Sequence, residues 1–285
     1  MGPAGLFCAL RLAAYGIPVT MLERGKPVEE RVQDVARFWR DGVLDPESNV
    51  QFGEGGAGTF SDGKLTCRLR DSNTGWVLNQ LIRFGAPPEI RYQAKPHVGT
   101  DRLRRVVASL RAGLLGNGAD LRFSTCLTDL VSSNGQLSAV RSNQQDELPC
   151  RHLVLAIGHS ARDTYAMLSR KNLVMEPKPF AIGLRVEHPQ GLIDRIQYGK
   201  PHPALPKADY ALTYNNDLTK RSCYSFCMCP GGLVVASSSE AEMVTVNGMS
   251  NLGRDSGVAN SALVVNVRPE EFDGSDPLAG IRFQQ

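Results

Sequence analysis

Residues 1–25 read MGPAGLFCALRLAAYGIPVTMLERG, and this stretch decides the fold class that the sequence predicts. A glycine-rich turn runs straight into an apolar helix pattern over residues 3–15, and Gly16 is a stop signal. Residues 17–23 then form a short apolar run that is typical of a buried parallel strand. Turn, helix and strand in this order predict an α/β fold. Such a turn normally follows a strand, so we expect the first strand of the sheet to be missing before Gly2.

The opening turn carries part of a ligand-binding pattern. A dinucleotide-binding unit is a strand, then G-x-G-x-x-G, then a helix, with an acidic residue about 20 positions further on. Gly2 and Gly5 take the second and third glycine places, and Glu23 ends the next strand 18 residues after Gly5. The helix N-terminus would face a pyrophosphate and Glu23 would accept hydrogen bonds from a ribose. The alternative is a plain strand–turn–helix without a ligand.

A second glycine cluster, GEGGAG at residues 53–58, also matches G-x-G-x-x-G. No clear strand precedes it, and TFSDGKL after it does not begin a helix well, so we do not interpret it as a second nucleotide site. We expect a loop that lies against a flat ring, where side chains would be in the way. The alternative is a flexible surface loop.

The rest of the chain separates into two parts by hydrophobic period. Further helix patterns fall near residues 28–39, 76–85 and 100–115, and ADLRFSTCLTDLVSSNGQLSAVRS predicts three strands, two of them joined at Asn134-Gly135. HLVLAIGHS predicts a buried strand that turns at Gly158. Beyond residue 173 the pattern is mostly β, including the alternation of KPFAIGLRVEHP. We predict two domains, residues 1–172 and 173–285.

Composition excludes several classes of protein. A net charge of +3 with dispersed basic residues does not favour nucleic acid, and no apolar run approaches the roughly 18 residues that span a membrane. One local cluster, Arg102, Arg104, Arg105 and Arg111, is interpreted as a solvated helix face. Seven irregularly spaced cysteines indicate a reducing, cytoplasmic location, although an organelle-targeting segment could be lost with the missing N-terminus.

Several longer stretches resemble one known family. They are GPAGLFCALRLAAYGIPVTMLERGKPVEERVQDV, ESNVQFGEGGAGTFSDGKL, LAIGHSARDTYAML, KPFAIGLRVEHPQGLID, SFCMCPGG and NGMS…RDSGVANSALVV. Together they resemble FAD-dependent dehydrogenases or oxidoreductases of unassigned substrate, with a glutathione-reductase-like FAD domain. The resemblance implies a Rossmann-like FAD/NAD(P)-binding fold with a β-meander and a second β-rich α+β domain. It also implies a partial chain that lacks the first strand and stops before the family's C-terminal end.

The resemblance implies a set of cofactor-binding positions. The segment after Gly53 would run along the ribityl chain and the isoalloxazine ring, and Cys126 with its neighbour would pass near the adenine. The implied positions are Gly2, Ala4, Gly5, Glu23, Arg24, Gly55, Gly56, Ala57, Gly58, Leu127, Ala156 and Gly158.

The same resemblance implies redox chemistry on a non-covalently bound flavin. Lys64 is the candidate cation beside the reduced flavin, and Asp62 is a candidate acid/base or orienting partner; alternatively both are surface loop charges. NAD(P)H is a candidate transient electron donor, with a small-molecule substrate and no metal. The alternatives to an oxidoreductase are a truncated flavoprotein fragment without turnover and an RNA-modifying flavoprotein.

Three cysteines of CYSFCMCPGG, namely Cys223, Cys227 and Cys229, have the spacing C-x3-C-x-C. A metal site would need a fourth ligand that is not evident. Cys227 and Cys229 would point to the same face of a strand, although a disulfide between them would be strained. The alternatives are buried packing thiols, a role near the flavin and a redox pair. His159 is expected to be exposed or to cap a helix, and His188 is expected to be structural.

Overall fold

The computed structural model describes residues 1–66, 71–200 and 202–285. Over these residues the chain is a mixed α/β protein with several sheets. The described residues form seven α-helices, which are α1 (Pro3–Ala14), α2 (Val28–Asp41), α3 (Asn73–Arg83), α4 (Thr100–Gly116), α5 (Arg162–Arg170), α6 (Gln190–Tyr198) and α7 (Ala279–Gln284). They also form eleven strands, which are β1 (Thr20–Leu22), β2 (Asp120–Arg122), β3 (Leu127–Ser133), β4 (Gln136–Ser142), β5 (Glu147–Pro149), β6 (Phe180–Pro189), β7 (Thr213–Asn215), β8 (Ser222–Cys229), β9 (Leu233–Ala236), β10 (Val246–Met249) and β11 (Val258–Val267).

The strands of the described residues pair into four sheets. β1 lies parallel to β2, and β3, β4 and β5 form an antiparallel meander. The largest sheet has the order β6-β11-β8-β7, and β9 pairs with β10; both are antiparallel. The mixed α/β character is therefore confirmed. The larger parallel sheet of a Rossmann-like fold stays a prediction.

The opening helix forms for local reasons. Gly2 is extended at the N-cap, and Pro3 at the first helical position has the fixed φ that suits a helix start. The helix ends one residue before the predicted end, and Gly16 follows with a φ of 70°. Its apolar face joins α3 and α4 in the main hydrophobic core, which includes Leu6, Leu10 and Leu110. That core holds the N-terminus of α1 beside the end of β1.

The predicted hairpin at Asn134-Gly135 is confirmed. The two residues have φ values of 53° and 75°, and β3 pairs antiparallel with β4 on either side of them. Asparagine and glycine tolerate this left-handed backbone best, which is why the pair marks a tight hairpin.

The prediction of a buried strand in residues 152–158 is wrong for this structure. These residues form no strand, and Val154 is 63% exposed. A buried strand needs a hydrogen-bonded neighbour, and within the described residues this segment has no ladder partner. The apolar pattern therefore marks a segment that could be a strand but remains unpaired.

The alternating stretch near residue 180 does form a strand, β6, but the predicted apolar face is not covered. Leu184 is 82% exposed and Ile182 is 42% exposed. The two predicted domains contact each other, because Trp39 Nε1 donates to Ala236 O at 2.8 Å and Thr100 N donates to Ser250 O at 2.9 Å. The domain boundary near residue 173 stays a prediction.

In the described part of the chain, no helix combines the length and the apolar character needed to cross a membrane.

Candidate functional site

The two glycine segments of the sequence lie against each other. The N–H of Gly55 donates to Met1 O at 3.0 Å. A Cβ placed on Gly56 would lie 2.9 Å from the Cα of Gly2. The structure therefore brings the opening turn and the GEGGAG segment together at the N-terminus of α1, although they are about 50 residues apart in the chain.

The N-terminus of α1 is open to an anion. Helix geometry leaves the N–H groups of Ala4 and Gly5 without an intrahelical acceptor. No side chain among the described residues caps this helix, and its first turn holds no acidic residue. The unpaired donors and the positive end of the helix dipole therefore point to the same place.

Glu23 lies at the end of β1 and is 7% exposed. Its Oε1 accepts hydrogen bonds from Gly25 N at 2.9 Å and Gly53 N at 3.0 Å, and its Oε2 accepts one from the Met1 amine. Burial raises the pKa of this carboxyl, but the Met1 amine, the Gly25 N–H and Arg31 together lower that pKa below its ordinary value. The carboxylate stays ionised and joins the strand end to both glycine segments.

Arg31 holds the second glycine segment in place. Its fully buried guanidinium donates to the carbonyl oxygens of Asn49 (2.8 Å), Val50 (2.9 Å), Glu54 (2.5 Å) and Gly56 (2.9 Å). Burial lowers the pKa of this group to about 10, and nearby carboxylates oppose the shift. The side chain therefore remains a cation at neutral pH and organises the backbone around it.

The sequence analysis missed Arg31, although a signal was present. The residue stands three positions after Val28 and four before Val35, which are both buried on the inner face of α2. A charged side chain on an apolar helical stripe needs partners, because a buried charge without them is costly. The glycine segment supplies those partners.

Gly55 and Gly56 are required by the chain's own packing. Their φ values are 84° and 62°, a region that side chains rarely adopt. A Cβ on Gly55 would lie 2.9 Å from Val107 Cγ2, and one on Gly56 would meet the backbone of Gly2. The expected flat ring is therefore not needed to explain these two glycines. Ala57 begins a short 3-10 helix, and a Cβ on Gly58 would meet nothing within 4 Å.

Gly2 and Gly5 are in a different position. A Cβ on Gly2 would lie 3.8 Å from Gly56 Cα, and one on Gly5 would lie 3.6 Å from Met21 Cε and 3.7 Å from Ala156 Cβ. These are ordinary van der Waals distances. The packing of α1 against β1 therefore leaves room for a side chain at both positions.

Arg24 lies beside the predicted adenine segment. Its Nη2 donates to Asp163 Oδ2 at 2.6 Å and to Cys126 Sγ at 2.9 Å, and its guanidinium lies over the Phe52 ring at 4.5 Å from the centroid. Burial lowers the pKa of Arg24. Asp163 and the other nearby acidic groups raise it by a larger amount, so the net pKa lies above its ordinary value. The structure thus brings Arg24 and Cys126 together. Leu127 begins β3, opposite Ser142 of β4.

Ala156 and Gly158 lie in the unpaired segment before α5. Ala156 approaches α1, because its Cβ would lie 3.7 Å from a Cβ added on Gly5. Gly158 has a φ of 70°, and a Cβ added there would meet no described atom within 4 Å. His159 is exposed and its ring contacts Ser160 Oγ at 3.3 Å. Among the residues that the structure describes, no side chain caps α5, so His159 is exposed and does not act as a cap. His188 contacts the Tyr210 hydroxyl at 2.8 Å, as expected of a structural residue.

Asp62 is a buried charge, 1% exposed, whereas the paired Lys64 side chain is 31% exposed. Lys64 Nζ lies 2.8 Å from Asp62 Oδ2, and Arg254 Nη2 donates to the same oxygen at 2.6 Å. Ser250 Oγ donates to Asp62 Oδ1. Burial raises the pKa of Asp62, but Arg254 and Lys64 lower it more, to about 2. The carboxylate stays ionised at neutral pH, which suits an orienting role and not proton donation.

Lys64 also remains charged. Burial lowers the pKa of its ammonium, but Cys229 and Asp62 oppose this, and the net pKa is raised. The partners Ser250 and Arg254 were missed by the sequence analysis, because they stand about 190 residues from Asp62 and no local pattern links them.

The interpretation of the arginine cluster on α4 is wrong for two residues. Arg102 and Arg105 are exposed as predicted, whereas Arg104 lies over the Phe60 ring at 4.9 Å from its centroid. Arg111 pairs with Glu29 at 2.6 Å and with Glu54 Oε2 at 2.9 Å. Both are held because α4 packs against α2 and the 3-10 helix after the glycine segment.

Within residues 1–66, 71–200 and 202–285, no group of three or more histidine, cysteine, aspartate or glutamate side chains could hold a metal ion.

Comparison with known proteins adds a family model and a relative. Residues 179–285 match a family model described as FAD-dependent protein, C-terminal domain-like. An uncharacterized protein of Clostridium beijerinckii is 53% identical over 286 residues, which cover 100% of this chain and 54% of that protein. The chain therefore spans about half the length of the curated relative that it matches.

Three solved structures are weakly similar. An L-amino acid deaminase from Proteus vulgaris has a TM-score of 0.40 at 10% identity, covering 65% of this chain and 57% of that one. NikD, an amino acid oxidase, has a TM-score of 0.37 at 15% identity, and the match covers 97% of this chain and 81% of that one. PqsL of Pseudomonas aeruginosa, a probable FAD-dependent monooxygenase, has a TM-score of 0.39 at 16% identity, and the match covers 99% of this chain and 68% of that one. At these scores the likeness carries no argument about fold or function.

Proposed function

We propose that this chain binds FAD non-covalently and forms part of an FAD-dependent oxidoreductase. The observation that carries the proposal is the uncapped N-terminus of α1, where the packing leaves room for side chains at Gly2 and Gly5. The chain itself does not require glycine at either position. A ligand that approaches the backbone closely is a physical reason for both.

The donor set fits the pyrophosphate end of the cofactor. The N–H groups of Ala4 and Gly5 would donate to phosphate oxygens at the positive end of the α1 dipole. The Glu23 carboxylate already accepts three hydrogen bonds, and a carboxylate offers about four acceptor sites. The carboxylate would therefore still have room to accept one hydrogen bond from a ribose hydroxyl. Arg24 is the next residue, and its raised pKa keeps its guanidinium positively charged.

The matching family model gives this proposal a second support, since it describes FAD-dependent proteins over residues 179–285. The finer parts of the proposal are a Rossmann-like, glutathione-reductase-like FAD domain, hydride transfer of the dehydrogenase type, and NAD(P)H as a transient electron donor. Bound FAD would supply the two-electron chemistry.

The remaining residues have roles that follow from their charges. Lys64 is an ammonium with a raised pKa that would stabilise negative charge placed beside it. Asp62, fixed by Ser250 and Arg254, keeps that ammonium in position. In this proposal Lys64 acts on the ligand and Asp62 is a positioning residue.

The test is a titration of the purified chain with FAD, FMN and riboflavin, followed by flavin fluorescence. FAD is expected to bind at about one equivalent per chain, and riboflavin, which lacks both phosphates and the adenosine, is expected to bind far more weakly. Bleaching of the bound flavin by NADH or NADPH, and its return in air, would support an oxidoreductase unit. A chain that takes up no FAD would contradict the proposal. Bound flavin that does not reoxidise would leave a flavin-binding segment without turnover.

A further inference from the structure

Cys227 and Cys229 stand at an irregular point of β8. Asn260 of β11 pairs with Cys229 and Ala262 pairs with Phe226, so β8 carries one extra residue between these pairs. Cys227 has a φ of 48°, in the left-handed region that side chains rarely adopt. A bulge of this kind re-aims side chains, and here it affects both cysteines.

The two cysteines are two residues apart and differ in exposure. Cys229 Sγ lies 3.4 Å from Cys227 O, so the bulge brings the Cys229 thiol against the Cys227 residue. Cys229 is fully buried, whereas Cys227 is half-buried. Cys227 is therefore the residue of the pair that is more open to a molecule from solvent.

A fixed ammonium lies beside the pair. Lys64 Nζ is 3.4 Å from Cys229 Sγ and 2.8 Å from Asp62 Oδ2. Asp62 is in turn held by Arg254 at 2.6 Å. This chain of contacts places a positive charge beside the Cys229 sulfur, although the Lys64 side chain is 31% exposed.

A second cation approaches from β6. Arg185 Nη1 donates to Cys227 O at 3.3 Å and also donates to Asn260 Oδ1. Asn260 is fully buried, and its Nδ2 has no hydrogen-bond partner among the described residues. Gly248 leaves space for the pair, because a Cβ there would lie 2.6 Å from Cys229 Sγ. The charged groups that face the pair are Lys64, Arg185 and, behind Lys64, Asp62.

These surroundings separate the two thiols chemically. The hydrogen bond from Cys229 lowers the pKa of Cys227 most, burial opposes it, and Lys64 and Arg185 lower it further, to about 5. The same hydrogen bond, together with burial, raises the pKa of Cys229 above its ordinary value. At neutral pH the half-buried sulfur is a thiolate and the buried one keeps its proton.

We infer that Cys227 and Cys229 form a redox-active dithiol that reduces low-molecular-weight disulfides, with Cys227 attacking and Cys229 resolving. This site goes beyond the proposed flavin binding and its test needs no flavin. It assigns a function to the C-x-C pair, for which the sequence left packing thiols and a redox pair as alternatives.

The reaction balances without any other reagent. The Cys227 thiolate attacks one sulfur of a disulfide RSSR, the S–S bond breaks, and one RS⁻ leaves. Cys229 then attacks the Cys227 sulfur of the mixed disulfide, the bond from Cys227 to the second R sulfur breaks, and that sulfur leaves as a thiolate. The Cys229 proton goes to one of the two released thiolates, and the other takes its proton from water. The cysteine pair loses two electrons, and RSSR gains them. A reduced dithiol such as dithiothreitol reverses the step.

The test uses oxidised glutathione as the probe and peptide mass spectrometry after alkylation as the readout. The wild-type chain is expected to form a Cys227–Cys229 disulfide and to release two glutathione thiols per disulfide formed. Cys229→Ser is expected to stop at a stable mixed disulfide between Cys227 and glutathione. Cys223→Ser, a cysteine change on the same strand, is the matched control and should behave as the wild type does.

The pH dependence separates this site from an ordinary thiol. At pH 5 a thiol of ordinary pKa is almost entirely protonated, so Cys227 in the folded chain should react about tenfold or more faster than Cys227 in urea. At pH 8 the two rates should be similar, because a thiolate of low pKa is also a weaker nucleophile.

Two outcomes would overturn the inference. One is a wild-type chain that accumulates the Cys227–glutathione mixed disulfide just as Cys229→Ser does, since Cys229 would then not resolve it. The other is a Cys227 rate at pH 5 that is the same in the folded chain and in urea. Circular dichroism of each variant shows whether its fold is retained.

Discussion

The two glycine segments at the N-terminus of α1 have nearly the same sequence pattern and opposite physical reasons for it. In the GEGGAG segment, Gly55 and Gly56 have positive φ values, and added Cβ atoms would meet Val107 and Gly2 at 2.9 Å. In the opening turn, Gly2 has a φ of −71°, and added Cβ atoms at Gly2 and Gly5 would lie at 3.6 Å or more from their neighbours. The first pattern is explained by the chain's own packing, and the second is not.

This difference separates structural glycines from candidate binding glycines. Substitution of a glycine that the fold requires should lower the stability of the chain, whether or not a ligand is present. Substitution of a glycine that the fold does not require should leave stability nearly unchanged and weaken ligand binding. Each substitution below tests one side of that comparison, and urea unfolding followed by the fluorescence of the two tryptophans, Trp39 and Trp76, is the common measurement.

The largest effect is expected at Arg31, which holds the GEGGAG segment. Arg31→Met leaves four carbonyl oxygens without their donor and removes one of the two cations that lower the pKa of the Glu23 carboxyl. Removing one partner of a buried, hydrogen-bonded charge costs about 3–5 kcal/mol, and we expect a loss of this size in the free energy of unfolding. Arg37→Met, an exposed arginine on the same helix, is the control and should change stability little. Equal effects of the two substitutions would contradict the assigned role.

Gly55→Ala should have the next largest effect. The substitution adds the cost of a left-handed backbone to a collision with Thr59 and Val107, and about 3 kcal/mol of destabilisation is expected. Gly58→Ala is the matched control, because its added Cβ meets nothing within 4 Å. If Gly55→Ala is tolerated as well as Gly58→Ala, the packing explanation of this segment is wrong.

Sequence patterns predicted the parts of this arrangement that depend on neighbours in the chain. The start of α1 follows from Gly2 and Pro3, and the hairpin follows from Asn134 and Gly135, because each reflects the backbone preference of the residues themselves. The buried strand at residues 152–158 was wrong because a strand also needs a partner, and apolar residues do not specify one.

The candidate site was predicted less completely than the fold. The positions of Gly2, Glu23, Lys64 and Asp62 were indicated by spacing and by resemblance. Their charge partners were not, because Arg254 reaches Asp62 across about 190 residues of chain and Arg31 is hidden in an amphipathic helix. Long-range ion pairs leave no period in the sequence.

Asp62→Asn tests the ion-pair cluster that follows the GEGGAG segment, and the test is the pH dependence of stability. The pKa of Asp62 is lowered from 3.8 to about 2, so its ionised form stabilises the fold above pH 4, and that contribution is lost as pH falls through about 2. The shift corresponds to about 2 kcal/mol. The stability difference between the wild type and Asp62→Asn should therefore shrink by this amount between pH 5 and 2. Asp217→Asn, an exposed carboxylate, should follow the wild-type curve; an unchanged difference for Asp62→Asn would rule out the low pKa.

Gly2→Ala should change stability least and ligand binding most. Gly2 is extended, with a φ of −71° and a ψ of 178°, so alanine adopts its backbone without strain, and the added Cβ lies 3.8 Å from Gly56 Cα. We expect a change of less than about 0.5 kcal/mol in the free energy of unfolding. If a pyrophosphate approaches this backbone, the same methyl group displaces it, and FAD binding in the titration should weaken by about tenfold or more. A variant that is strongly destabilised would place Gly2 with the structural glycines, and one that is stable and binds FAD as the wild type does would remove the opening turn from the proposed site.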